Sequence, residues 1–299
     1  MCVLVVGSIA FDTVETPYGK VENALGGAAV YFSYAASFFC PVRLVGVVGE
    51  DFPDDFRKVL QPRDIDLAGL EVTSGKTFRW SGSYEGAMNS AETKATELNV
   101  LGDFDPKVPA AFRNTPFVLL ANGAPTTQKS VVEQMDKPKF VVADTMNFWI
   151  DNTRDELVEL LGMIDGLVCN DEEARMLSGE ANLIRAAKAI QKLGPSTIIV
   201  KKGEHGSIIV GPDWFFALPA YPAETVVDPT GAGDSFAGGF MGYLGSVGEV
   251  TPAGLKQAAA YGTMVASFNI EDFSLKRFQK LTREEIDARL AEFRQMLAF

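Results

Sequence analysis

Within seven residues, Asp228-Pro-Thr-Gly-Ala-Gly-Asp234, the chain sets two carboxylates around a core that carries almost no side chain. Gly231, Ala232 and Gly233 leave backbone N–H groups open to an approaching anion. The run that follows opens a helix in which Phe236, Phe240, Met241 and Leu244 share an apolar face. Amides at a helix N-terminus carry fixed partial positive charge. Asp234 falls in the first turn beside them. A carboxylate next to an anion hole is suited to taking the proton of an alcohol while the hole holds the charge that builds on a transferred phosphoryl group. The same stretch also reads as a glycine turn capped by an aspartate, but two aspartates, a threonine and a Gly-Ala-Gly core in one frame exceed what a cap needs.

Other groups fall where strands end. Val3 to Val6 reads as a buried strand, and Gly7-Ser-Ile-Ala-Phe-Asp12 carries the chain over its carboxyl end. Ligands of open α/β sheets bind at that end, so Asp12 is either a hydroxyl-holding carboxylate or a turn aspartate. Gly26-Gly27 lets backbone approach a ligand or a neighbouring strand. Asn170-Asp-Glu-Glu173 follows another strand. Its oxygens suit the water shell of Mg²⁺, and its spacing equally suits a capping box. Lys201-Lys-Gly-Glu-His-Gly206 joins two strands, and Asp144-Thr-Met-Asn147 ends a third, where Asn147 meets a phosphate or closes an Asx turn. Gly75-Lys76-Thr77 imitates a P-loop, but five residues separate Gly69 from Gly75 where four are required.

These groups need a scaffold, and the pattern supplies one. From Phe117 onward, short apolar runs alternate with helical segments through Thr197 to Lys201, ending in a hairpin-like pair, Ser207 to Val210 and Phe215 to Leu218. Such alternation predicts a mostly parallel sheet with helices on both faces. Ala28 to Phe39 should be a central buried helix. Between Asp64 and Asn99 the pattern changes to exposed strands, Thr77 to Tyr84 with Ala95 to Val100 as partner, which predicts a small separate sheet. A long helix is expected from about Thr251 to Phe268. An amphipathic one follows from Thr282, with a capping box to Glu285 and a stripe of Ile286, Leu290, Phe293 and Leu297.

Composition narrows the function. The 299 residues are 47% apolar and 22% charged, as in a soluble globular protein, and can bury a sizeable core. A net charge of −12 argues against a nucleic-acid backbone or an anionic membrane surface as partner. Cys2, Cys40 and Cys169 form no C-x-x-C pair, and the chain enters a strand at once without a basic leader, so a cytoplasmic location is expected. His205 is the only histidine, which excludes chemistry needing two imidazoles. Dinucleotide binding would need glycine at Phe236 to complete G-x-G-x-x-G.

The Asp228 to Asp234 segment resembles the C-terminal signature of the PfkB, or ribokinase-like, carbohydrate kinase family, and the likeness runs from the first strand to the last helix. It implies one ribokinase-like α/β domain over 1–299, with a β lid from about 11–24 and 70–100. It further implies ATP-dependent transfer of the γ-phosphoryl group to a hydroxyl of a small sugar. Asp234 would be the general base, with Gly231, Ala232 and Gly233 as the anion hole. Asp12, Gly26 and Gly27 would hold the acceptor, and the family places an asparagine four residues after the glycine pair; Tyr31 stands there instead. Asn170, Glu173, Lys201, Gly203 and Thr230 would line the nucleotide. Mg²⁺ would bind through water at Glu173 and K⁺ near Asp228 and Thr230. The family also contains nucleoside kinases, for which Phe11, Tyr31 and Trp80 would stack on a base or merely pack. A nucleotide-binding regulator without turnover is the reading of a different class, though such a chain has no need of Asp234. The lid's composition is compatible with a homodimer through it.

Overall fold

The computed structural model describes residues 1–298. Its strands are β1 (Val3–Val6), β2 (Ala10–Thr16), β3 (Gly19–Gly26), β4 (Val42–Gly49), β5 (Ile65–Thr73), β6 (Phe78–Tyr84), β7 (Ala91–Glu97), β8 (Phe117–Leu120), β9 (Phe140–Asp144), β10 (Gly166–Asn170), β11 (Thr197–Lys201), β12 (Ser207–Val210) and β13 (Phe215–Leu218). Its helices are α1 (Ala28–Ala36), α2 (Asp54–Leu60), α3 (Pro125–Gln134), α4 (Asn147–Asn152), α5 (Arg154–Leu161), α6 (Asp171–Ser178), α7 (Leu183–Gln191), α8 (Ala232–Val247), α9 (Pro252–Asn269) and α10 (Arg283–Met296).

Nine strands form one sheet in the order β13-β12-β11-β10-β9-β8-β1-β4-β5. All neighbours run parallel except β11 with β12 and β12 with β13. The period of two explains how short apolar runs become central strands. Val3 and Val5 of β1 face a core shared with α1, α8, α9 and α10. Leu4 and Val6 face a second core under α3, α5, α6 and α7. A strand buried on both faces needs no polar alternation, which is why β1, β8 and β9 read as unbroken apolar runs.

The second sheet has the order β3-β2-β6-β7. Residues 70–73, expected in the small sheet, belong to β5 and pair with β4 at the edge of the large one. The predicted partner strand is β7, displaced toward the N-terminus of the expected range; Val100 instead enters a 3₁₀ turn. Every residue of β7 is exposed. This charged and polar edge discourages non-specific strand pairing.

Helix α8 lies between α1 and α9 as its glycines imply. A methyl group on Gly238 would fall 2.5 Å from the Phe32 carbonyl oxygen. Thr251 caps α9 and the Thr282–Glu285 capping box opens α10. The stripe of α10 ends one residue early, because Leu297 lies past the helix and is 37% exposed. Among the described residues, no helix is long and apolar enough to cross a membrane.

Candidate active site

The carboxyl ends of the parallel strands converge beside the second sheet. Asp144 ends β9, Asn170 ends β10 and Lys201 ends β11, with Asn170 and Lys201 in direct register. The N-terminus of α8 faces them. Gly231 caps this helix with φ 74°, a left-handed conformation that disfavours a side chain, and a Cβ there would strike the Tyr31 ring at 2.3 Å. The amide of Ala232 turns back onto the Pro229 carbonyl at 3.1 Å. Among the described residues, this leaves Gly231 and Gly233 as the amides of the hole without an internal partner. The Lys201 ammonium lies just beyond, 3.1 Å from where a Cβ on Gly233 would sit. Two amides, a helix terminus and an ammonium thus share one anion-sized space.

Asp234 stands in the first turn of α8, partly exposed to that space. Burial and the neighbouring Asp144 push its carboxyl up to about 7, with Lys201 opposing them. A base poised near neutrality is suited to accept an alcohol proton. Lys201 bonds Asp144 Oδ2 at 3.1 Å. Burial works against its charge, but Asp144, Glu173 and Asp234 more than reverse this and raise its pKa.

Asp12 projects from β2 toward the same space. Its carboxylate occupies the volume that a side chain on Gly26 would need, with Oδ2 only 1.9 Å from that Cβ position. The first glycine of the pair is therefore required by close approach. Burial raises Asp12 to about 7, the Gly27 amide opposes this, and Asp228 and Asp234 add to the rise. Tyr31, on α1, is fully buried, and among the described residues its hydroxyl has no partner. Thr230 Oγ1 donates to Tyr84 Oη of β6 at 3.4 Å, so the second sheet touches the glycine loop.

Asn170 and Glu173 form the capping box of α6: Asn170 Oδ1 accepts from the Glu173 amide at 2.8 Å and Glu173 Oε2 from the Asn170 amide at 2.7 Å. Burial and Asp144 push Glu173 up to about 7. Asp144 is buried and Glu173 and Asp234 are half-buried around one cation, Lys201; among the described residues no three of the acidic, histidine or cysteine side chains group closely enough to hold a metal ion directly, so Glu173 would meet Mg²⁺ only through its water shell. Asp228 is buried and, among the described residues, makes no ion pair. Its oxygens accept from the Thr230 amide at 2.9 Å and the Ser274 amide at 3.3 Å, which ties the start of the glycine loop to the turn after α9. Gly203, φ 54°, lies in the turn between β11 and β12, under the Asn89 side chain.

The structure thus gathers Asp12, Gly26, Gly27, Tyr31, Asp228, Thr230, Gly231 to Asp234, Asn170, Glu173 and Lys201 around one cleft. It sets Phe11 apart, on the opposite face of β2 from Asp12, packed on Phe52 and Phe56 beneath Arg79. Asn147 is exposed at the start of α4. Sequence reasoning assigned no role to Asp144, although a lone carboxylate closing Phe-Val-Val-Ala-Asp is the signal that marks it. Tyr84 and Asn89 gave no signal, since only folding brings them to loops far along the chain.

The profile of the pfkB family carbohydrate kinase matches residues 2–279. A cytidine kinase of Thermococcus kodakarensis is 28% identical over 245 residues, covering 80% of this chain and 86% of that protein. A nucleoside kinase of Methanothermobacter thermautotrophicus is 27% identical over 294 residues, covering 90% and 89%. The solved structure of the Methanocaldococcus jannaschii nucleoside kinase superposes with a TM-score of 0.78 at 21% identity, over 97% of this chain and 98% of that one.

Proposed function

The chain belongs to the pfkB family of carbohydrate kinases, ATP-dependent phosphotransferases that act on an alcohol, and from that premise we propose that its acceptor is a nucleoside. The observation that carries this choice over a small sugar is the likeness to cytidine and nucleoside kinases along most of the chain. The geometry is in keeping with it. Register places Trp80 of β6 opposite Asp12 of β2, so both side chains lie on the cleft face of the second sheet. The Trp80 ring lies over Gly82 and its Nε1 donates to Thr93 of β7 at 3.3 Å, so it leans from Asp12 toward the sheet edge and would meet a base only at the outer side of that face. Phe11 is excluded from that role by its packing.

In the proposed mechanism the second sheet is a lid that keeps water from the reacting groups. Asp12, held by the Gly27 amide, orients the acceptor. Asp234 takes the proton of the attacking primary alcohol, and the Gly231 and Gly233 amides with Lys201 face the negative charge of the transferred phosphoryl group. Asn170, Glu173 and Gly203 line the nucleotide. Mg²⁺, when bound near Glu173, would neutralise phosphate charge, and K⁺ beside Asp228 and Thr230 would tune the glycine loop.

The test is ADP release from Mg-ATP with K⁺ present, across cytidine and other nucleosides, ribose, hexoses and inositol, with Asp234→Asn beside the parent. We expect nucleosides to turn over. The variant should lose roughly 10²- to 10⁴-fold in rate, the worth of a positioned base, while keeping its ATP affinity. Turnover confined to free sugars would replace the nucleoside reading with a sugar kinase, and full activity in the variant would remove Asp234 as the base.

A further inference from the structure

Pro125, Gln128 and Val131 are the buried residues of α3, so a glutamine stands on the face that packs under β8 and β9. A polar side chain in such a place is costly unless it is bonded, and a methionine would fill much the same volume. Gln128 is 4% exposed, and its amide nitrogen meets three carbonyls: Leu120 at 3.2 Å, Ala121 at 3.0 Å and Asp144 at 2.9 Å. The ladder between β8 and β9 ends at Leu120 and Ala143, so Ala121 and Asp144 lie one step beyond it. One side chain thus closes the two strands where the cleft begins. Asp144 has every oxygen engaged at that point. Its carbonyl accepts from Gln128, its Oδ1 from the Thr145 amide at 2.8 Å and its Oδ2 from the Lys201 ammonium at 3.1 Å. Lys201 in turn lies against Gly233, at the anion hole.

We propose that Gln128 is a positioning residue for phosphoryl transfer: by joining the ends of β8 and β9 it fixes the Asp144 carboxylate, which holds Lys201 at the anion hole and sets the charge that faces Asp234. The inference rests on reading the Gly231 to Asp234 corner as the transfer site, with Asp234 as its base. Gln128 meets none of the reacting groups itself. Supporting bonds of this kind hold a site to its working geometry, and a misplacement of about 1 Å is enough to cost roughly 10²-fold in rate. The titratable groups whose charges bear on Asp234 are Asp144 of β9, Lys201 of β11, Asp12 of β2, Tyr31 of α1 and Tyr84 of β6. Gln128 bonds only to Asp144 among them, and through it bears on Lys201. Loosening Asp144 takes a negative charge away from Asp234 and releases Lys201 to approach it. Both changes favour the charged carboxylate, so the sign of the outcome is fixed.

Gln128→Met keeps the length of the side chain and removes the donor. With the acceptor that the panel above identifies, we expect the acid limb of kcat/KM to move toward lower pH by about half a unit or more. ATP KM should rise roughly fivefold, since Lys201 faces the anion hole, while acceptor KM changes less than about threefold. A clamp that serves the fold alone would lower the melting midpoint and leave the acid limb in place, and that result would overturn the proposal. Asp144→Asn should move the acid limb the same way. Adding Gln128→Met to it should move the limb no further, because the glutamine acts through that carboxylate; a further shift in the double variant would also overturn the proposal. If the methionine variant does not fold, Gln128→Asn, which draws the same amide back along a shorter side chain, goes through the same measurements with the same expected direction. The Asp234→Asn control keeps the two readings apart. Full activity there removes the base, and this inference with it. A base that holds, beside an unmoved acid limb in Gln128→Met, removes only the role of Gln128.

Discussion

The two ends of the cleft solve opposite problems. At the end proposed for the nucleotide, the charged groups pair within the protein, Lys201 with Asp144 and Asn170 with Glu173, and the Gln128 amide nitrogen meets the carbonyls of Leu120, Ala121 and Asp144 at 2.9 to 3.2 Å, while Gln128 Oε1 and Thr145 Oγ1 stay unpaired among the described residues. At the end proposed for the acceptor, Asp228 and Thr230 are bonded but two groups beside them are not matched by a charge or a donor side chain. Tyr31 has a lone hydroxyl, Asp12 is pressed among other carboxylates, and the loop over them depends on a left-handed glycine. One end is held rigid by bonds within the protein, which suits a ligand whose phosphates must arrive in a fixed place. The other leaves its hydrogen-bonding capacity for the ligand, and specificity follows from leaving such groups unpaired when the wrong molecule binds.

Breaking the internal pairing of the nucleotide end should have the largest effect. Lys201→Met leaves Asp144 buried without its cation. We expect a stability loss of about 3 kcal/mol, the lower part of the range for breaking a buried pair, because the lysine side chain keeps 21% of its surface exposed. ATP KM should rise with it, since the ammonium also faces the anion hole. Chemical denaturation and initial-rate kinetics measure the two losses. A variant that keeps full stability would mean that the nucleotide end is not held together by this pair.

The carboxylates sharpen the same comparison through pH. Asp12, Glu173 and Asp234 lie near 7 in the folded chain, against ordinary values of 3.8 to 4.5. Between those limits the folded state binds more protons than the unfolded one, so stability rises as pH falls from about 7 toward 4. Under the proposed mechanism activity runs the other way, because Asp234 would have to be unprotonated to act as base. Below pH 7, kcat/KM should fall about tenfold per pH unit, and more steeply where Asp12 must also be charged. Denaturation midpoints and pH–rate profiles over pH 5.5 to 8 should therefore slope in opposite directions. Parallel slopes would show that these carboxylates do not govern both properties.

How much of this was legible in the sequence divides along the same line. The large sheet was readable because buried parallel strands are written as short apolar runs at regular intervals. The Asp228 to Asp234 loop was readable because its glycines and carboxylates sit in one local frame. The Asn170–Glu173 spacing announced both a cap and a ligand set, and only geometry shows that the cap is formed. What the sequence withheld is pairing at a distance. Nothing local says that Lys201 meets Asp144, that Tyr84 reaches Thr230, or that the Asn89 side chain donates to Glu204 at 2.9 Å and so brings the β6–β7 hairpin onto the turn between β11 and β12. The strand at 65–73 went astray for a related reason: at the edge of the large sheet it alternates like a half-exposed strand, and alternation alone does not say which sheet it joins.

The smallest effect addresses whether the capping box at the cleft is anything more than a cap. The molecule contains its own control, because the Thr282–Glu285 box on α10 has the same reciprocal bonds. Asn170→Ala and Thr282→Ala should each cost about 1 kcal/mol, the worth of an N-cap. If Asn170 and Glu173 also place the metal–nucleotide complex, Asn170→Ala should raise ATP KM several-fold and require more Mg²⁺ for half-maximal rate, while Thr282→Ala leaves both unchanged. Acceptor KM should hold in the two variants alike. Equal stability losses with no kinetic difference would reduce the Asn170 box to a helix start, and the nucleotide end would then rest on Lys201 and the glycine loop.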